Sequence, residues 1–70
     1  MTNVEMLNDK IDKSGFKRTY IAEKVNITPQ GLSNKLNGMR EFTVGEMFRI
    51  SDVLSLTDEE KIQIFFYKES

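Results

Sequence analysis

Apolar side chains recur along this chain at three- and four-residue intervals, the repeat of an α-helix that turns one face inward. Val4, Leu7 and Ile11 form the first such face. Asn3 or Thr2 can cap its start, and Gly15 supplies the left-handed residue that commonly ends a helix, which predicts helix one over about 3–14. Tyr20, Ile21 and Val25 mark the next face with small Ala22 beside them, and the element stops at Asn26, a residue that tolerates positive φ. Helix two is therefore short, about 18–25. Thr28 reads as an N-cap followed by Pro29 at the first helical position, where a missing N–H costs nothing and a fixed φ suits the helix. Leu32 and Leu36 give this element its inward stripe and Gly38 closes it, so helix three covers about 29–37.

Beyond the short loop "GMREF", Thr43 and Glu46 stand at capping-box spacing, and Val44, Met47, Ile50 and Leu54 give helix four its inward face. Thr57 and Glu60 repeat that spacing, and Asp58, Glu59 and Glu60 place negative charge at the positive end of the next helix dipole. Helix five then runs over about 58–67, with Ile62 assigned to the core. No segment alternates as a strand does, and there is no internal repeat or low-complexity tract. The expectation is a single all-α domain over residues 1–70, a compact bundle of five helices.

Composition narrows the chemistry. A chain of 70 residues has one core and little left over for a deep pocket, so no small-molecule ligand and no further sensing domain is expected. Cysteine and histidine are both absent, which removes disulfides, thiolate zinc sites, Cys or His nucleophile arrangements and imidazole acid–base catalysis. The acids at 58–60 are consecutive at a helix start rather than convergent across a cleft, so no catalytic residue, metal site or cofactor is expected and the chain does not read as an enzyme. The opening "MTNVEMLNDK" lacks a basic and then apolar signal region, and no apolar run is long enough to cross a bilayer. A cytoplasmic protein without a membrane partner is the expectation.

Net charge is −1, yet its distribution is lopsided. Between positions 10 and 40 seven bases face two acids, a balance of +5, whereas residues 41–70 carry seven acids and three bases, a balance of −4. The basic stretch contains both short helices and the joint "VNIT" between them. A joint that short fixes the angle between two helices, which is useful where one of them must be presented to something large. Helix three has an outer face suited to such presentation. With Leu32 and Leu36 inward, Gln30, Ser33, Asn34 and Asn37 point outward, and Lys35 sits at the margin. Amides can both donate to and accept from one base edge, adenine most readily. Gly31, without a side chain, lets the helix approach closely at some loss of helix propensity.

These residues resemble the Cro and phage-repressor type of helix-turn-helix protein, also called Xre-like, with its five-helix lambda-repressor-like fold. The resemblance extends over about 4–66 and rests on Ile21 and Ala22 in helix two, the turn Val25-Asn26-Ile27-Thr28, Leu32-Ser33 in helix three, Gly38 with Arg40 beyond it, and "FTVGEMFRISDVLSL". It implies a helix-turn-helix at about 18–37, double-stranded DNA as partner, and transcriptional regulation of a prophage or mobile-element kind, with helix three reading the major groove. Pro29 stands where many members place a base-reading side chain, which shifts readout to Gln30, Ser33 and Asn34. Carried over residue by residue, the resemblance gives Lys17, Arg18, Thr19, Lys35, Asn37 and Arg40 to the DNA backbone. Lys17 and Arg18 lie at a helix amino end, where cations are disfavoured, so they are expected to have an anionic partner elsewhere.

Phe65, Phe66 and Tyr67 put three aromatics in succession on the last helix, more than one helix can bury against a single body. Two outcomes are open. The run is a self-association surface for a homodimer on paired half-sites, or Phe65 completes the core while Phe66 and Tyr67 lean on helix one. The alternative function is a protein-interaction module of the same fold, in which the acidic, aromatic end binds another regulator and DNA plays no part.

Overall fold

Backbone N–H groups at a helix start have no partner inside the helix, and the chain meets this need with side chains at four of its five helices. The computed structural model describes residues 2–66. Among them α1 spans Val4–Ser14, α2 Arg18–Val25, α3 Pro29–Leu36, α4 Val44–Val53 and α5 Asp58–Phe65, with no strand. Asn3 caps α1 by accepting from the Met6 N–H, and Thr28 caps α3 by accepting from the Gly31 N–H at 2.9 Å. Thr43 with Glu46, and Thr57 with Glu60, form complete capping boxes on α4 and α5. Helix ends are equally local in origin. Gly15 and Asn26 take left-handed conformations with φ of 77° and 67°, and three residues, Asn26–Thr28, are all that join α2 to α3.

The core takes Leu7 and Ile11 from α1, Ile21, Ala22 and Val25 from α2, Leu32 and Leu36 from α3, Ile50 from α4 and Ile64 and Phe65 from α5. Phe42 and Leu56 enter it from the connections. α2 packs against both α3 and α4, and α1 against α3 and α5. The amino end is held as well: the Asn3 N–H donates to the Ile64 carbonyl at 2.6 Å, and the buried Thr2 hydroxyl donates to Glu41 at 3.3 Å.

Several expectations change. Ile62 is 59 % exposed and is not a core residue; Ile64, two positions on, is fully buried in its place. α5 is entered through its capping box at a rotation that turns the Ile64–Phe65 edge inward, and a helix of eight residues has too few turns for periodicity to fix that rotation from sequence. Val44, expected inward on α4, is 64 % exposed, because Ile50 and Met47 define the buried side and Val44 falls at the rim. Tyr20 also stays outside the core: its ring lies 5.0 Å from that of Phe16, and the Lys24 ammonium lies 5.6 Å from its centre. α3 ends at Leu36 and α5 at Phe65, each earlier than expected.

Both capping-box glutamates make a second contact that joins helices. Glu60 accepts the Thr57 N–H through one oxygen and pairs with Lys10 of α1 through the other. Glu46 accepts the Thr43 N–H and pairs with Lys35 of α3. The Lys10 and Thr57 hydrogen bonds hold the Glu60 carboxyl down from its ordinary 4.5 to about 2. At Glu46 burial pushes the pKa up, but hydrogen bonds from Lys35 and Thr43 outweigh it and the net shift is downward. A depressed carboxylate stabilises the fold above its unfolded pKa, and that contribution is lost as pH falls through the folded value. The melting temperature is therefore expected to be level above about pH 5 and to fall progressively between about 4.5 and 2. Glu60→Gln should flatten part of that fall in a pH series of thermal melts; an unchanged profile would remove Glu60 as its source.

Candidate nucleic-acid interface

α3 has an apolar and a polar side. Leu32 and Leu36 are buried, Gln30 and Asn37 are exposed, and Ser33 and Asn34 are half-buried. Gln30 Nε2 donates to Asn34 Oδ1 at 3.1 Å across one turn. That bond leaves the Gln30 carbonyl and the Asn34 amide hydrogens uncommitted, one acceptor beside donors. Gly31 has a local reason beyond close approach: a Cβ there would lie 3.0 Å from the Thr28 hydroxyl that caps α3. After α3, Gly38 turns the chain at φ 79°, and Met39 and Arg40 follow, both exposed.

The amino end of α2 differs from the other four. Lys17 occupies the N-cap position without a side-chain capping bond, and Lys17, Arg18 and Thr19 are all exposed. An uncapped amino end keeps its positive dipole and free N–H groups, an arrangement that favours an anion. Arg18 shares the helical stripe of Ile21, Ala22 and Val25, so its side chain reaches back toward α1 rather than straight outward. Its Nη2 donates to Asn8 Oδ1 at 3.1 Å and lies 3.4 Å from Asp12 Oδ1. Asp12 is thus the anionic partner that charge at a helix start calls for, although an exposed pair of this kind stabilises little. The Asn8 Nδ2 in turn donates to the Leu36 carbonyl at 3.3 Å. A single side chain therefore links the amino end of α2 to the carboxyl end of α3.

Lys35 is placed differently from the other bases assigned to DNA. Its side chain is 12 % exposed, its ammonium pairs with Glu46, and it lies 5.8 Å from the centre of the Phe42 ring. The ammonium faces α4 and its charge is already matched. The remaining backbone set, Lys17, Arg18, Thr19, Asn37 and Arg40, is exposed.

At the carboxyl end Phe65 is buried, edge-on to Phe42 at 5.9 Å and 78°, so it completes the core. Phe66 is the C-cap residue of α5. It is 65 % exposed and lines an apolar groove between α4 and α5 together with Val44, Met47, Phe48 and Phe65. Tyr67 lies outside the described residues.

No protein-family model, curated protein or solved structure matches the chain. Among the described residues there is no group of three or more His, Cys, Asp or Glu able to hold a metal ion, and no helix is long and apolar enough to cross a membrane.

One feature of the surface escapes a reading by periodicity and a second does not. Val44 and Phe48, one turn apart on α4, are exposed apolar residues that an inward-face assignment conceals. Asn8 was visible in principle: positions 4, 7, 8 and 11 form one helical stripe, and Asn8 is its polar member. Arg18 is the polar member of the matching stripe 18, 21, 22 and 25, and the two polar members bond to each other.

Proposed function

We propose that the protein is a sequence-specific DNA-binding transcriptional regulator of the Cro or phage-repressor kind, with α2 and α3 as its helix-turn-helix and α3 in the major groove. The observation that carries this function is the pairing of an uncapped, cation-flanked amino end on α2 with an amide face on α3, across a three-residue joint. The first suits phosphate, the second suits base edges. Gln30, Ser33 and Asn34 read bases. Lys17, Arg18, Thr19, Asn37 and Arg40 hold the backbone, and Lys35 contributes to the scaffold through Glu46.

Fluorescence anisotropy with random-sequence duplex and with duplexes from the gene's own upstream region, each over a salt series, tests this function. Tight binding to one upstream fragment with a steep salt slope is expected, because neutralised phosphates release counterions. Arg18→Ala should weaken binding to all duplexes and lower the magnitude of the slope by about one. Absence of binding at low salt would dismiss DNA as the partner.

The α4–α5 groove bears on how two half-sites are paired. Phe48 and Phe66 line the groove and are 64 % and 65 % exposed. Exposed rings and a groove on one patch suit a two-fold interface between identical chains, since the same surface must serve both copies. The assigned occupant is a second copy of this chain. Sedimentation equilibrium should give a dimer that Phe48→Glu converts to monomer without loss of helicity. A wild-type monomer at high concentration would leave the groove to another protein, the interaction-module alternative.

A further inference from the structure

Asn8 makes three hydrogen bonds through its side chain, two of them between helices. Its Nδ2 donates to the Val4 carbonyl at 2.9 Å within α1 and to the Leu36 carbonyl at 3.3 Å at the end of α3. Its Oδ1 accepts from Arg18 Nη2 at 3.1 Å at the start of α2. We propose that Asn8 is a positioning residue for DNA-backbone binding: it holds the Arg18 guanidinium by one edge and so presents the rest of it, already ordered, to a phosphate at the amino end of α2. This inference rests on the DNA-binding function proposed above and adds a residue that touches no DNA.

Two neighbours share the same guanidinium nitrogen, and their chemistry sets them apart. Asn8 is neutral, so it restrains Arg18 without cancelling its charge. Asp12 is charged, sits farther away at 3.4 Å with its side chain 67 % exposed, and competes with phosphate for the same cation. Nη1 and Nε of Arg18 have no hydrogen-bond partner among the described residues. An arginine is a long side chain with many rotamers, and fixing one on binding lowers affinity; a fork held in advance avoids most of that loss.

The contrast gives opposite signs for two substitutions at one nitrogen. In anisotropy titrations of a random-sequence duplex, Asn8→Ala is expected to weaken binding roughly three- to tenfold with an unchanged salt slope, since no charge is removed. Asp12→Asn is expected to tighten binding about twofold. The double variant Asn8→Ala/Arg18→Ala should bind no more weakly than Arg18→Ala alone, because Asn8 acts through Arg18. Additive losses, or tightening by Asn8→Ala, would overturn the assignment while leaving DNA binding intact. Failure of the wild-type chain to bind any duplex would remove the DNA function, and the role of Asn8 with it. A measurement on the unsubstituted protein stands independent of whether Asn8→Ala folds: by 15N NMR without DNA, rotation of the Arg18 guanidinium should be slower than that of Arg40. Equal rates would overturn the proposal.

Discussion

Asn34→Ala is expected to erase discrimination between the operator and random duplex by a factor of about ten to a hundred, with random-duplex affinity held within about twofold. The separation follows from where the side chain sits. Asn34 lies on the side of α3 away from Leu32 and Leu36, takes no part in the core, and carries no charge that could alter the phosphate term. Its Oδ1 is occupied by Gln30, so what the pair offers a base is the Gln30 carbonyl and the Asn34 amide hydrogens. Adenine presents the complementary couple, an acceptor at N7 and a donor at N6. Acceptor and donor come from different residues, so Gln30→Ala should cost discrimination comparable to Asn34→Ala, and the double variant should lose little more than either. The operator needed for the assay comes from the upstream fragment that binds most tightly or from selection out of a random pool. Equal losses on operator and random duplex would take base reading away from Asn34.

Local chemistry wrote much of this fold into the sequence. Asn3, Thr28, Thr43 and Thr57 begin helices and Gly15 and Asn26 end them because the hydrogen bonds concerned span three or four residues, a distance at which sequence spacing and spatial contact are the same thing. Rotation of a short helix about its own axis is not local. Ile62 and Ile64 are both isoleucines on α5, and only the body against which α5 packs, α1 included, decides that Ile64 is the buried one. Phe42 shows the same limit from the other side: it reads as part of a short loop, yet its ring lies 5.9 Å from that of Phe65 and 5.8 Å from the Lys35 ammonium. The polar face of α3 was legible for the reason the caps were, since two buried leucines fix which residues lie opposite. The link through Asn8 spans 28 residues to Leu36 and ten to Arg18, and no spacing rule reaches that far.

The two lysine–glutamate pairs carry the same lesson into energetics. Glu46 and Glu60 are recognisable as capping-box residues, and each also pairs with a lysine of another helix, a contact that periodicity does not reveal. Through them α3 is tied to α4 and α1 to α5 at the points where α4 and α5 begin. The dipole charge that reads as a local device is therefore also part of the tertiary structure.

Lys35→Met should lower stability by about 2 kcal/mol, a fall of roughly 10 °C in melting temperature for a domain of this size. Removing the lysine leaves Glu46 with the Thr43 N–H and no counter-charge in a half-buried position. Its carboxyl then loses one of the hydrogen bonds that together outweigh burial, so its pKa rises and acid unfolding begins at higher pH. Lys35→Met/Glu46→Gln should recover most of the loss, because neither charge is then left unpaired. Duplex binding separates this scaffold role from a phosphate contact. Lys35→Met, measured where it is folded, should leave the salt slope unchanged, whereas Arg18→Ala lowers it by about one. A drop of about one with Lys35→Met would mean that DNA draws the ammonium away from Glu46, and α3 would then grip the backbone at the expense of its own tie to α4.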